Sequence, residues 1–147
     1  IVFGDWSSDV CSSDLERNTN IKSRTAMIER LQASGVSNIF LAFADGKPCG
    51  MISFGKSRDN DLNDYAEIVA IYALESYWGK GVGGQLMRLA LSEMKRLGYK
   101  NVLLWTFEAN TRAQRFDEKN GFVADGATKE SGLGNAKEMR YRLALGV

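Results

Sequence analysis

The sequence predicts a single α/β domain in which a mixed sheet is flanked by helices, and three observations support this class. The chain has 147 residues, 44% of them hydrophobic, which is enough to form one core. Short runs rich in Ile, Val, Phe and Tyr have the length of strands, and longer stretches place apolar residues at helical spacing. After a first helix, the predicted order is β-β-β-α-β-α-β-β, with no internal linker or repeat.

The first half of the chain is predicted to form one helix and three strands. Apolar residues within 21–31 favour a helix that ends at Gly35. The run NIFLAFA (38–44) predicts a buried strand, and the turn DGKP leads the chain back into a second strand, CGMISFG (49–55). After a polar connection, YAEIVAIYAL (65–74) predicts a third strand.

The second half alternates helices and strands. Five apolar residues at helical spacing predict the next helix, namely Val82, Leu86, Ala90, Met94 and Leu97. NVLLWTF (101–107) predicts a strand, and Asn110 or Thr111 can cap a short helix after it. Residues 121–126 begin another strand, and KEMRYRLAL (137–145) alternates well enough to form the last one.

Composition argues against several classes of function. The 19 basic and 18 acidic side chains give a net charge of +1, which favours neither nucleic acid nor an anionic membrane as a partner. The longest apolar run, 39–44, is too short to cross a bilayer. Cys11 and Cys49 lack metal or redox spacing, so we expect a reduced, cytoplasmic protein. The absence of histidine excludes a His-based triad and the usual zinc sites, and no metal site is predicted.

Residues 1–15 differ in character from the rest of the chain. The string SSDVCSSDL repeats Ser-Ser-Asp plus an apolar residue and resembles translated sequencing-adapter sequence, with a disordered tail as the alternative. We therefore assign the functional domain to residues 16–147. If the first fifteen residues are not native, we expect the usual first strand to be missing and one edge of the sheet to be exposed.

The densest motif is SYWGKGVGGQ (76–85), which has four glycines in six residues directly before a helical pattern. Successive amides of such a loop form an anion-binding nest, and the helix N-terminus adds unpaired N–H groups and the positive end of its dipole. We predict a phosphate site here, with a loop that merely turns the chain as the alternative. Its residues are Gly79, Lys80, Gly81, Val82, Gly83 and Gly84.

Two common phosphate loops fit this motif poorly. A Walker A loop ends in Gly-Lys-Ser/Thr, whereas this one ends in Gly-Gly-Gln. Gly79, Gly81 and Gly84 match GxGxxG, and Glu108 lies near the position of a ribose-binding acid. However, roughly half of the domain precedes the loop, and too little chain follows to complete a dinucleotide-binding fold. A nicotinamide-dependent oxidoreductase is therefore a distant alternative.

Two separated motifs carry a resemblance to a known family. EIVAIYALESYWGKGVGGQLM (67–87) and NTRAQRFDEKNGF (110–122) resemble, in order and placement, the GNAT superfamily of acetyl-CoA-dependent N-acetyltransferases. The resemblance runs from about residue 39 to the C-terminus and implies a GNAT-like fold with a mixed, mostly antiparallel sheet. Gly81 and Gly83 fit the glycines of the family's loop motif, but Trp78 stands where Arg or Gln is usual.

The resemblance implies that acetyl-CoA is the co-substrate and that its pantetheine arm runs along the third strand, where neighbouring strands splay apart. Backbone groups near Ile71, Tyr72 and Ala73 would then pair with the cofactor's amides. Asn110 matches the family's helix-start asparagine, which often contacts the cofactor, with a plain helix cap as the alternative. Phe116, which also suits the core, completes the set of predicted cofactor-binding residues.

The resemblance also implies transfer to a primary amine by direct attack through a tetrahedral intermediate, with a strand N–H holding the oxyanion. Glu67 is the candidate base, because the histone-acetyltransferase branch has a glutamate in a similar AEIV context. Many relatives have Phe-Tyr-Glu-Lys where this chain has Phe-Asp-Glu-Lys, and that tyrosine protonates the departing sulfur. An aspartate with a pKa of ~3.9 is ionised at pH 7, so Asp117 can be this acid only if its site raises its pKa. Tyr72, Tyr77 or water are the alternatives.

The sequence leaves the acceptor open among small amines, polyamines, amino acids, antibiotics and protein amines. Asp59, Asp61 and Asp64, together with Glu67, could attract a cationic amine, although a solvated polar loop is the simpler interpretation. The loss of the family tyrosine at Asp117 favours a different class, a non-catalytic acyl-CoA-binding sensor or interaction module. The resemblance is compatible with a homodimer.

Overall fold

The computed structural model of the chain describes residues 26–33, 37–131 and 136–146, and within these ranges it forms one sheet of seven strands and two α-helices. The strands are β1 (Ala26–Ala33), β2 (Ser37–Ala44), β3 (Lys47–Lys56), β4 (Ala66–Ala73), β5 (Asn101–Phe107), β6 (Val123–Glu130) and β7 (Lys137–Ala144). The helices are α1 (Val82–Arg96) and α2 (Thr111–Lys119). Single turns of 3-10 helix cover Asn60–Leu62 and Glu75–Tyr77.

The strand order across the sheet is β1-β2-β3-β4-β5-β7-β6. Every neighbouring pair is antiparallel except β4 and β5, which are parallel and joined through α1. The predicted α/β class with a mixed, mostly antiparallel sheet is therefore confirmed, as is the order of elements from β2 onward. None of the helices described is long and apolar enough to span a bilayer.

The prediction of a helix over 21–31 is wrong where the structure describes it, because residues 26–33 form β1. This strand pairs residue by residue with β2, from Ala26 opposite Ala44 to Ala33 opposite Ser37. Its sparse apolar residues suit either local conformation, and the long ladder of backbone hydrogen bonds with β2 favours the strand. The sheet therefore has a strand before β2 that the sequence analysis did not predict. Residues 21–25, Gly35 and the proposed boundary at residue 16 lie outside the described ranges.

The core lies on the face of the sheet that both helices cover. On α1, the predicted apolar stripe is buried at Val82, Leu86, Ala90 and Met94, whereas Leu97 is exposed and lies beyond the end of the helix. Gly50 on β3 allows α1 to lie close against the sheet. A Cβ atom at Gly50 would be 2.8 Å from Val82 Cγ1, so the absence of a side chain fixes where the N-terminus of α1 meets the sheet.

Candidate functional site

The parallel strands β4 and β5 pair over only three positions and then separate. The pairs are Ala66 with Val102, Glu67 with Leu103 and Ile68 with Leu104. The register of β4 against β3 shifts directly after Ile68, which bends the strand at this point. Val69–Ala73 and the end of β5 therefore continue without pairing with each other. The predicted splay is present, and it leaves backbone groups along both facing edges without a strand partner.

The glycine loop connects the open end of β4 to α1. Gly79 and Gly81 have φ angles of 76° and 90°, a conformation that favours glycine, and Gly81 is the N-cap of α1. The amide of Gln85 donates to the Gly81 carbonyl at 3.0 Å. The preceding amides, those of 82–84, have no carbonyl acceptor among the described residues, as expected for the first turn of a helix. The loop thus presents a cluster of N–H donors beside the strand opening, which is an arrangement suited to an anion.

Trp78 links the loop, β4 and α2. Its indole Nε1 donates to the carbonyl of Ala73 at 3.0 Å, and its backbone N–H donates to Glu75 at 3.0 Å. The guanidinium of Arg112, on the first turn of α2, lies 3.8 Å from the centroid of the Trp78 ring. Lys80 instead lies over the ring of Tyr77, 5.8 Å from its centroid. The N-termini of α1 and α2 are therefore brought to the same end of the β4–β5 opening.

The other residues predicted to contact the cofactor lie around this opening. Ile71 and Ala73 are buried, while Tyr72 and Phe116 are half-buried. Asn110 is the N-cap of α2, where its Oδ1 accepts a hydrogen bond from the Ala113 amide at 3.0 Å. The side-chain oxygen of Asn110 therefore has the capping role that the sequence analysis offered as the alternative.

Asp117 lies in the interface between α2 and β5 and is completely buried. Its Oδ2 accepts a hydrogen bond from the hydroxyl of Thr106 at 2.6 Å, while no donor of the described residues reaches the buried Oδ1. Burial raises the pKa of Asp117 from 3.8 to about 7, although the hydrogen bond from Thr106 opposes this shift. The condition under which an aspartate could act as the acid is therefore met. Tyr77, one of the alternative acids, is buried in the core, and this burial raises its pKa.

Glu67, the candidate base, is buried and forms an ion pair. Arg58 Nη2 donates to Oε2 at 2.6 Å, and the backbone N–H and Nε of Arg58 donate to Oε1 at 2.9 Å and 3.3 Å. Glu67 is 1% exposed, while the side chain of Arg58 is 66% exposed. Glu67 is therefore a buried carboxylate covered by a solvent-exposed guanidinium.

The acidic connection between β3 and β4 is largely neutralised by Arg140 of β7. The guanidinium contacts Asp59 Oδ2 at 3.1 Å, Asp61 Oδ2 at 2.9 Å and Asp125 Oδ2 at 2.7 Å. Trp105 Nε1 also donates to Asp59 at 3.0 Å. Two of the three aspartates expected to attract an amine are therefore held in ion pairs, and the third, the exposed Asp64, forms no ion pair with the described residues.

Sequence reasoning missed the partners that define this site. Thr106, Arg58 and Arg112 each act through contact with a residue that the motifs had identified. These three residues lie on a strand, in a polar connection and on an exposed helix turn, and nothing in such sequence contexts marks them as functional. Only their positions in the folded chain bring them to the site. Gly50 offered one local sign, because an isolated glycine inside a strand pattern often marks close approach of another element.

Comparison with known proteins agrees with this architecture. The profile of the acetyltransferase (GNAT) family matches residues 8–122. A "probable N-acetyltransferase" of Mycobacterium tuberculosis H37Rv is 34% identical over 110 residues, which are 72% of this chain and 60% of that protein. A second protein of that strain, an uncharacterized N-acetyltransferase, is 33% identical over 70% of this chain and 63% of its own length. The chain thus spans about three fifths of the length of the curated relatives it matches.

Solved structures give the same result for the fold. A "putative streptothricin acetyltransferase" from Bacillus anthracis, in complex with acetyl coenzyme A, has a TM-score of 0.66 and 27% identity, covering 76% of this chain and 64% of that one. An acetyltransferase from Bacillus subtilis in complex with CoA has a TM-score of 0.67 at 19% identity, and the match covers 82% of this chain and 99% of that one.

Proposed function

The chain belongs to the acetyltransferase (GNAT) family, and we propose that it transfers the acetyl group of acetyl-CoA to a primary amine of a small molecule or peptide. The observation that carries the proposal is the meeting of two features at one end of β4. These are the unpaired amides at the start of α1 and the opening between β4 and β5. An anion site beside a slit between two strand edges that do not pair with each other suits a ligand with a pyrophosphate and an amide-containing arm.

In this proposal the glycine loop holds the pyrophosphate of acetyl-CoA. The amides at the start of α1 point to the ligand, and the helix dipole favours its negative charge. The loop residues concerned are Gly79, Lys80, Gly81, Val82, Gly83 and Gly84. The pantetheine arm would lie in the opening beside Ile71, Tyr72 and Ala73, with Asn110 and Phe116 on the side of α2. Two similar structures that contain acetyl-CoA or CoA support this choice of ligand.

The proposed reaction is direct attack of the amine nitrogen on the thioester carbonyl. An N–C bond forms, a tetrahedral intermediate carries the oxyanion, and the C–S bond then breaks. A backbone N–H of β4 in the unpaired stretch would donate to the oxyanion. We assign protonation of the leaving thiolate to Asp117, which is bonded to Thr106 in the part of β5 that no longer pairs with β4 and whose pKa of about 7 leaves part of the carboxyl protonated near neutral pH. Because this carboxyl is completely buried, α2 must shift or a water must carry the proton before it reaches the sulfur.

The amine must lose a proton before or during attack, and Glu67 is the proposed acceptor of that proton. Both of its oxygens accept hydrogen bonds from Arg58. The guanidinium must therefore leave, or a water must connect the amine to Glu67, before this carboxylate can act as a base. Because the side chain of Arg58 is mostly exposed, it can leave the pair without rearrangement of the sheet.

The closed Glu67–Arg58 pair also favours one alternative, a non-catalytic acyl-CoA-binding sensor. Turnover distinguishes the two functions. Incubating the full chain with acetyl-CoA and a panel of small amines, polyamines, amino acids and peptides, and measuring released CoA with a thiol reagent, tests both. An acetyltransferase releases CoA in an amine-dependent manner. A sensor binds acetyl-CoA and releases no CoA above the rate without amine.

A further inference from the structure

We propose that Arg112 binds a phosphate group of the cofactor and that Trp78 positions its guanidinium at the end of the β4–β5 opening. This inference rests on the proposed function, since the phosphate is one of those of acetyl-CoA. It adds a cation from α2 to a site that the sequence motif assigns to the glycine loop alone.

The position of Trp78 is fixed by the fold. Its indole N–H is bonded to the Ala73 carbonyl at the end of β4, and its ring contacts the core. Gly79 and the rest of the glycine loop follow directly in the chain. A guanidinium stacked on this ring is therefore held beside the loop by a rigid platform.

Arg112 has the properties of a ligand-binding arginine rather than a structural one. Its guanidinium stacks on Trp78 at 3.8 Å, and no carboxylate of the described residues forms an ion pair with it. Arg58, Arg96, Arg140 and Arg142 bond carboxylates, whereas Arg88 and Arg115 make no such contact with the described residues and, unlike Arg112, do not lie over an aromatic ring among them. Stacking uses the face of the guanidinium and leaves the N–H groups at its edge available for bidentate contact with a phosphate.

The place of Arg112 on α2 also points to an anion. It is the second residue of the helix, where the positive end of the helix dipole disfavours a cation. A phosphate between the N-termini of α1 and α2 would offset this repulsion. The loop has Trp78 at the position where the family motif usually has Arg or Gln. The charge that an arginine there would bring is supplied by Arg112 in this chain.

The experiment is calorimetric titration of the full chain with acetyl-CoA and with its 3′-dephospho form. Arg112→Met removes the charge and keeps the length of the side chain, Arg112→Lys keeps the charge without the planar stack, and Trp78→Leu removes the platform. Arg115→Met is the matched control, because Arg115 is exposed one turn further along α2. Circular dichroism confirms that each variant is folded.

We expect Arg112→Met to weaken acetyl-CoA binding about 10- to 100-fold, the range for loss of a charge-assisted hydrogen bond. Arg112→Lys and Trp78→Leu should give intermediate losses, and Arg115→Met should stay within about 2-fold of the unmodified chain. An equal loss with the 3′-dephospho form assigns Arg112 to the pyrophosphate. A loss confined to acetyl-CoA assigns it to the 3′-phosphate.

Binding by Arg112→Met within about 2-fold of the unmodified chain would overturn this inference and leave the proposed function intact. Equal losses in Arg112→Met and Arg115→Met would also overturn it, because the effect would then be a general one of charge. If the unmodified, folded chain binds neither form, the proposed function fails together with the inference.

Discussion

The carboxyl group of Asp117 lies 2.6 Å from the hydroxyl of Thr106, wholly inside the interface between α2 and β5. Oδ2 of Asp117 accepts a hydrogen bond from this hydroxyl, and Oδ1 is buried without a donor among the described residues. An ionised carboxylate would be costly in this position, because a buried charge needs more than one hydrogen bond to replace its hydration. The geometry therefore favours the protonated acid, in agreement with the raised pKa of about 7.

The first prediction concerns stability. The pKa of Asp117 rises from 3.8 to about 7 on folding, so the folded state binds this proton more tightly than the unfolded state does. This contribution to stability is complete below pH ~4 and is lost as the pH rises through about 7. Between pH 5 and pH 8 we expect it to lower the free energy of unfolding by roughly 2–3 kcal/mol. Asp117→Asn should lack this decline, as measured by urea unfolding at both pH values.

The control for this prediction is Glu118→Gln, which changes an exposed carboxyl beside Asp117. This control matters because, among the described residues, Glu118 and Tyr141 interact electrostatically with Asp117, and Glu118 Oε1 lies 3.5 Å from the hydroxyl of Tyr141. Glu118→Gln should keep the decline between pH 5 and pH 8. The same pH profile for the unmodified chain and Asp117→Asn would contradict the assigned pKa.

The second prediction concerns the leaving group. If Asp117 protonates the thiolate, kcat should carry a factor that falls as the pH rises through about 7, where this carboxyl loses its proton. Asp117→Asn keeps the shape and removes the proton, so it should be slower at pH 6 by about 10- to 100-fold. The rate ratio between the two proteins should shrink toward pH 8. A ratio that stays constant with pH would assign the loss to packing rather than to proton transfer.

The third prediction concerns the pair of Glu67 and Arg58. Arg58→Met removes the guanidinium that donates to both carboxylate oxygens and keeps only the backbone N–H on Oε1, so it should raise kcat/KM for a primary amine several-fold if Glu67 is the base. The double variant Arg58→Met/Glu67→Gln should lose this gain. Because Glu67 is buried, Arg58→Met should also lower stability, by about 1–3 kcal/mol. Equal rates for the single and double variants would remove Glu67 from the mechanism.

The fourth prediction concerns Gly50 as the contact point of α1. A methyl group there would lie 2.8 Å from Val82 Cγ1 and 3.1 Å from the Tyr72 carbonyl, so Gly50→Ala must displace the start of α1. We expect a loss of about 1–3 kcal/mol in urea unfolding and weaker binding of acetyl-CoA. Adding Val82→Ala removes the clashing methyl group and should restore part of the stability and part of the affinity for acetyl-CoA. No recovery in the double variant would show that α1 is not displaced through Val82.

Local signals predicted much of the fold. Asp45 and Gly46 both have positive φ angles, as a two-residue hairpin requires, and the DGKP motif had indicated this turn. The sequence also predicted the glycine loop, the apolar stripe of α1 and the cap at Asn110, because each depends on residues that are close in the chain. The strand β1 was not predicted, because its conformation depends on pairing with β2 rather than on its own sparse apolar pattern.

The conformation of the loop glycines followed from the sequence, whereas the side-chain contacts of the candidate site did not. The motif identified Asp117, but its raised pKa depends on burial by α2 and β5 and on Thr106, which lies 11 residues away. Asp59 and Asp61 looked free to attract an amine, and Arg140, about 80 residues further along the chain, neutralises both. Such pairings arise from the order of strands in the sheet, and no local pattern encodes them.

The measurement that tests the central claim most directly is calorimetric titration of the full chain with acetyl-CoA, with NAD as the comparison ligand. Two variants accompany it, Gly81→Val at the start of α1 and Gly98→Val just after its end. Both glycines have φ angles above 85° and no atom within 4 Å of an added Cβ, so the two substitutions impose similar backbone strain. Only Gly81 lies in the glycine loop.

We expect saturable binding of acetyl-CoA and no binding of NAD, with acetyl-CoA binding lost in Gly81→Val and retained in Gly98→Val. That result would identify the amides at the start of α1 as the pyrophosphate site. The absence of acetyl-CoA binding by the folded, unmodified chain would contradict the account, because the glycine loop would then only connect β4 to α1.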